Sequence, residues 1–180
     1  MSQVSKLNSV NNRLGATMPG QQTTRYVFDT VTATAGQTNY DFFQTFSGKS
    51  AIESNLNVNK LDSSESMVIK SIFIASNSAT SVIDLLGHMN LNITVGNQVV
   101  LKDFNPAFCT GGRGTAFARI SATATDATAV EIRLLTDIVI PPQVNFKAEL
   151  ELAENTAAAG DKIRFGLKGY GVIFSAGSTF

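Results

Sequence analysis

The sequence predicts an all-β protein: a single antiparallel β-sandwich of about eight strands behind a polar N-terminal arm. Three observations predict it. Apolar and polar residues alternate with a period of two through several segments after residue 24, as in strands with one buried and one wet face. Turn signals separate those segments at sandwich spacing. Helical periodicity is confined to short stretches. At 180 residues the chain is long enough to bury a core without disulfides or metals.

The elements follow in order. Residues 1–23 are rich in Ser, Asn, Gln and Gly, and Pro19-Gly20 closes the segment as a breaker. Within it Val4, Leu7, Val10 and Leu14 are spaced by three, three and four, which admits a short amphipathic helix. Two roles are open to this arm: a solvated tail, or a segment that orders against a neighbouring subunit, with Leu7, Val10 and Leu14 as its contact residues. The sandwich domain spans 24–180. Its strands are predicted at 26–33, 67–75, 91–95, 98–101, 115–122, 130–134 and 144–152, and again from 163 through the Gly-punctuated close at 169–174. Gly96-Asn97 supplies a two-residue hairpin turn. The stretch 144–152 is the clearest strand, with even positions apolar and odd ones polar or charged. Pro141-Pro142 is expected to end pairing and hold an extended crossing. Residues 78–86 and 154–159 each have room for a turn or two of helix. The segment 39–62 is long for a sandwich loop. Its aromatic start, with Phe42, Phe43 and Phe46, either plugs one end of the sandwich or meets another subunit.

Composition narrows the function. Fourteen basic and 14 acidic side chains cancel, and only 16% of residues are charged, against a norm of about a quarter. That excludes a strongly basic nucleic-acid binder, a coiled coil and a disulfide-framed module. The balance is uneven along the chain: Lys6, Arg13 and Arg25 precede the first acid, Asp29, leaving 11 basic against 14 acidic residues after them. Such an arm makes at most weak contact with nucleic acid, and no specific nucleic-acid partner is expected. No apolar run resembles a signal peptide or a membrane-spanning helix, so no membrane partner is expected either. One Cys (Cys109) allows no intramolecular disulfide and is compatible with a reducing cytosol.

Residues able to bear chemistry read better as structure. One His (His88) and one Cys cannot supply an ordinary zinc ligand set, so no metal or other cofactor is expected. His88 has no Gly-x-Ser-x-Gly elbow to serve, and Cys109 has no neighbouring base. Gly48-Lys49-Ser50 resembles the end of a phosphate loop, but position 43 is Phe43 and the parallel βαβ setting is missing. Glu149 and Glu151 share a strand face about 7 Å apart, yet they sit with Lys147 on an ordinary wet face. Thr110-Gly111-Gly112-Arg113-Gly114-Thr115 reads as a mobile loop, with Arg113 as a contact if it lies across a neighbour.

The polar arm, short strands, Ser/Thr/Asn-rich loops, low charge, Ile138-Val139-Ile140-Pro141-Pro142 crossing and late C-terminal strand together resemble a viral shell protein of jelly-roll type. The likeness is to small capsid or capsid-auxiliary (decoration) proteins of bacteriophages, over about residues 24–180. It carries no functional residue with it. It implies a non-enzymatic virion structural protein that forms or decorates an icosahedral capsid. Its partners would be copies of itself, as a homo-oligomer, and other capsid proteins, and it would be made in the host cytoplasm. The alternative is a β-sandwich carbohydrate-binding or adhesion module, disfavoured by the lack of Trp.

Overall fold

Gly96-Asn97 is the hinge on which the topology turns, with Gly96 in the left-handed region at φ 60°. A computed structural model describes residues 20–77, 89–105, 128–152 and 159–174. They hold eight strands: β1 (Gly20–Thr32), β2 (Asn39–Phe42), β3 (Glu65–Ser76), β4 (Met89–Val95), β5 (Gln98–Phe104), β6 (Thr128–Ile140), β7 (Phe146–Leu152) and β8 (Lys162–Phe174). Outward from the Gly96-Asn97 turn, β4 pairs with β5, β3 with β6, β2 with β7 and β1 with β8, all antiparallel. Such pairing is that of one long hairpin wrapped on itself. Successive pairs fall into alternate sheets, ordered β1-β8-β3-β6 and β2-β7-β4-β5. This is the strand order of a jelly roll.

Alternation decides which side chains enter the core. In β7, Phe146, Ala148, Leu150 and Leu152 are buried while Lys147, Glu149 and Glu151 face out. β4 does the same with Met89, Leu91, Ile93 and Val95. β3 departs from the pattern and is buried along nearly its whole length. Its inner residues Ile69, Ile72 and Ile74 join the main core, while Val68 forms a second small cluster with Val172, Val139 and Tyr170.

Aromatic rings tie the two sheets together. Phe42 of the second sheet lies 5.3 Å from Phe165 of the first, and Phe43 lies 5.1 Å from Phe146 and 6.1 Å from Phe165 between centroids. Tilted and edge-on pairs of this kind add to the area they bury.

Several boundaries differ from the sequence expectation. β1 begins at Gly20, because residues 20–23 pair with 171–174 of β8. Residues 39–42, expected within a long loop, form a short edge strand against β7. β6 is longer than its alternating core suggests and carries a bulge: Arg133 pairs with Ser71 and Ile138 with Ile69, so residues 134–137 stand opposite Lys70 alone. The Pro141-Pro142 crossing lies where it is expected, between β6 of one sheet and β7 of the other. There Pro142 bridges Leu61 and the Gln143 amide donates to the Leu61 carbonyl at 3.2 Å. The expected strand at 115–122 and helical turn at 78–86 lie outside the described residues, as do residues 154–158 of the turn expected at 154–159.

Candidate functional site

A sandwich has two open sides, each lined by the edge strands of both sheets. One side is formed by β1 and β2, the other by β5 and β6. They are built differently.

The β1–β2 side is stapled shut. Asp29 of β1 is fully buried and its carboxylate accepts from the Thr30 amide (2.9 Å), the Phe43 amide (2.8 Å) and the Lys49 ammonium (2.6 Å). Phe43, in the left-handed region at φ 62°, is thereby held in a backbone conformation that costs a bulky residue about 1–2 kcal/mol. Further along, Asn55 behaves as a substitute strand. Its side-chain oxygen accepts from the Phe28 amide, its amide group donates to the Tyr26 carbonyl, and its backbone amide donates to the Phe28 carbonyl. Lys162 pairs with Glu53 at 2.7 Å, and Arg164 lies over the Phe28 ring at 4.8 Å while donating to the Ile52 carbonyl. The long 43–64 connection therefore covers the β1 edge, which answers the open edge of a sheet with local hydrogen bonds.

The β5–β6 side is open among the described residues. Val99, Val100 and Leu135 are exposed there, Leu135 completely. A groove between the two strands is lined by Val100, Leu101, Phe104, Leu134, Leu135 and Ile138. The bulge carries Leu135 outward and is tied at its root by the ion pair of Lys70 with Asp137. On the outward face of the sheet, Glu131 accepts from Ser71 Oγ (2.7 Å) and Lys168 Nζ (2.9 Å), which hold its carboxyl below the usual carboxylate range. The same carboxylate raises the Lys168 ammonium. Arg133, two residues on, is exposed and has no ion-pair partner among the described residues.

The residues singled out from sequence are distributed as follows. Phe42 and Phe43 are fully enclosed by the chain's own core. Between the two sheets, Phe42 packs on Phe165, and Phe43 on Phe146 and Phe165. Phe46 is half-buried against the same core. Leu7, Val10, Leu14, His88, Cys109 and Arg113 lie outside the described residues. Lys49 of the phosphate-loop resemblance is committed to Asp29. Glu149 pairs with Lys147 at 2.6 Å on the wet face of β7. Arg25 belongs to β1 and pairs with Glu65 at 2.5 Å. Among the described residues no three His, Cys, Asp or Glu side chains come together as metal ligands, and no helix is long and apolar enough to cross a membrane. The open edge itself was missed from sequence. Its signal was Leu134-Leu135, two adjacent large apolar residues that break the alternation of β6.

No protein-family model matches the chain, and no curated protein is significantly similar to it in sequence. Solved structures that bear some likeness to the chain include three from viruses. The major capsid protein P2 from bacteriophage PM2 is 8% identical over 89% of this chain, with a TM-score of 0.42. This chain spans 47% of that protein's length. The empty head of Turnip Yellow Mosaic Virus is 9% identical over 87% of this chain and 82% of its own, with a TM-score of 0.29. A Nora virus structure is 9% identical over 90% and 64%, with a TM-score of 0.30. The strand order, and not these similarities, defines the architecture. The described residues form an eight-stranded jelly-roll β-sandwich.

Proposed function

We propose that this chain is a non-enzymatic structural protein of a virus particle, forming or decorating an icosahedral capsid through contacts with copies of itself and with other capsid proteins. The observation that carries the reading is the contrast between the two sides of the sandwich. The 43–64 connection staples the β1 edge, whereas among the described residues the β5 and β6 edges stand open beside a fully exposed Leu135. Open edges flanked by apolar side chains are surfaces that monomeric proteins ordinarily blunt.

Jelly rolls serve viral capsids, lectin domains and cupins, so the fold alone does not choose. Surface chemistry supplies the rest. A cupin metal centre needs several His or carboxylate ligands, and this chain has one His. Sugar-binding faces use exposed aromatic rings; here there is no Trp, and Tyr26 is shared with Lys168, 5.7 Å above its ring. A weakly charged surface lets copies approach without strong repulsion.

Size-exclusion chromatography with light scattering, followed by negative-stain electron microscopy, tests the proposal on the full chain. Concentration-dependent oligomers, shells, or binding to purified shells are expected. A chain that stays monomeric at high concentration and binds no shell would sink the reading. Clear hits on a glycan array would replace it with a carbohydrate-binding role.

A further inference from the structure

We infer that two copies of this chain meet through β6, antiparallel, across a two-fold axis centred on Ile132. The inference rests on the self-associating role proposed above and names a contact that would serve it.

The first support is the edge itself. Among the described residues β6 closes one end of its sheet and its backbone partners all lie on β3, leaving its outer edge unpaired. An open strand edge is a template for another strand.

The second is the charge pattern around Ile132, which selects one register. Ile132 points into the core, and Glu131 and Arg133 flank it on the outward face. In a two-fold antiparallel pair, residues directly opposite one another point to the same face of the joined sheet. An axis between two residues would set an inward side chain against an outward one, so the axis must pass through a residue. Centred on 131 it opposes two glutamates, and centred on 133 two arginines. Like charges directly opposite are destabilising. Centred on Ile132, Glu131 faces Arg133 of the partner subunit, and symmetry repeats the pair. Arg133, without an ion-pair partner among the described residues, then gains one.

The third is what the same approach does in the other layer. β5 is the edge of the second sheet on the same side. Joining two copies at β6 brings their β5 edges toward one another, so Val99, Val100 and Leu135 leave water in one contact. The bulge at 134–137 ends the regular pairing soon after Arg133. The join is therefore short and closes as a pair, instead of adding strand after strand. A contact of that size is weak alone and gains strength from repetition in an assembly.

Sedimentation velocity on the full chain tests this with four samples: wild type, Arg133→Glu, Glu131→Arg, and an equal mixture of the two variants. Wild type is expected to show a concentration-dependent dimer, and each variant alone to dimerise about ten-fold more weakly or worse. The mixture should recover dimer, because the acidic 131/133 pair of one variant faces the basic pair of the other. Leu135→Asp, at a fully exposed site that the fold does not use, should also weaken the dimer. Circular dichroism melts matching wild type show that the variants fold. Variants that dimerise like wild type, or a mixture no stronger than its components, overturn the contact. If both variants also still form shells or bind them, the structural role stands and only this contact falls. If wild type neither dimerises nor binds shells, both fall.

Discussion

Replacing Asp29 should be among the most damaging single changes in the described part of the chain. The carboxylate has no exposed surface, and the Lys49 side chain opposite is only 16% exposed. Removing one member of a buried pair leaves the other charge without compensation, which costs about 3–5 kcal/mol. Lys49 sits on a loop and can partly swing into water, which moves Asp29→Ala toward the lower half of that range. The alanine also strands the Phe43 amide, at about 1–3 kcal/mol if it finds no water, and releases a residue held at φ 62°. These costs overlap, so a loss of about 3–5 kcal/mol is expected. That is a large share of the ~5–15 kcal/mol typical of a domain. Asp29→Asn keeps an acceptor for the Phe43 amide and should lose about 2–3 kcal/mol. Adding Lys49→Met to Asp29→Asn removes the orphaned charge and should regain at least half of that. Urea unfolding followed by far-UV circular dichroism suits a chain with no Trp, and a shifted midpoint at constant slope reports stability. A loss below about 1 kcal/mol for Asp29→Ala, or a double variant no better than Asp29→Asn, would refute the staple.

Three further outcomes follow from particular contacts. A Cβ on Gly169 would lie 1.9 Å from the Val68 carbonyl oxygen, a backbone atom that cannot swing aside. Gly169→Ala should therefore cost at or above the upper end of ~1–3 kcal/mol and more than Gly166→Ala, where a Phe73 ring is in the way; equal melting temperatures for the two would contradict this. Phe165 is fully buried and joins Phe42 to Phe43 across the sheets. Phe165→Ala should lose about 3–5 kcal/mol in the same urea assay, and a loss near 1 kcal/mol would mean the sheets collapse into the gap. Hydrogen bonds from Lys162 and Ser50 lower the Glu53 carboxyl to about 2. Because the folded value lies below the ordinary 4.5, the Glu53–Lys162 tie is fully formed above that pH and is lost as pH falls toward 2. Carbon-13 NMR should place the midpoint well below 4.5, and Lys162→Ala should return it toward normal; an unshifted wild-type midpoint would rule the tie out.

Much of the fold is legible in the residues because its strands are amphipathic. Alternation marks β7 and β4, Gly96-Asn97 marks their neighbouring turn, and Pro141-Pro142 marks the change of sheet. Legibility fails where burial is not one-sided or where an element is short. Asn39–Phe42 is too brief for its alternation to stand out from the loop that follows. Phe42 and Phe43 look alike in sequence to exposed contact residues, because adjacency says nothing about a ring enclosed from both sheets. The open edge was hidden for a related reason. Edge or centre is a property of strand order, and strand order is a set of long-range pairings that no local window contains.

Composition and periodicity by themselves determined an all-β chain, its approximate strands, its weak charge, and the lack of His and Cys for a conventional metal centre. Those are local quantities, set by how each segment divides its apolar and polar faces. Tertiary structure alone decided that the strands wrap as a jelly roll, that Asp29 and Asn55 close one side, and that among the described residues β6 is left at an edge with Arg133 unpaired and Leu135 in water. Those depend on residues far apart in the chain arriving together, and the free energy of such contacts exists only once the loops between them have closed.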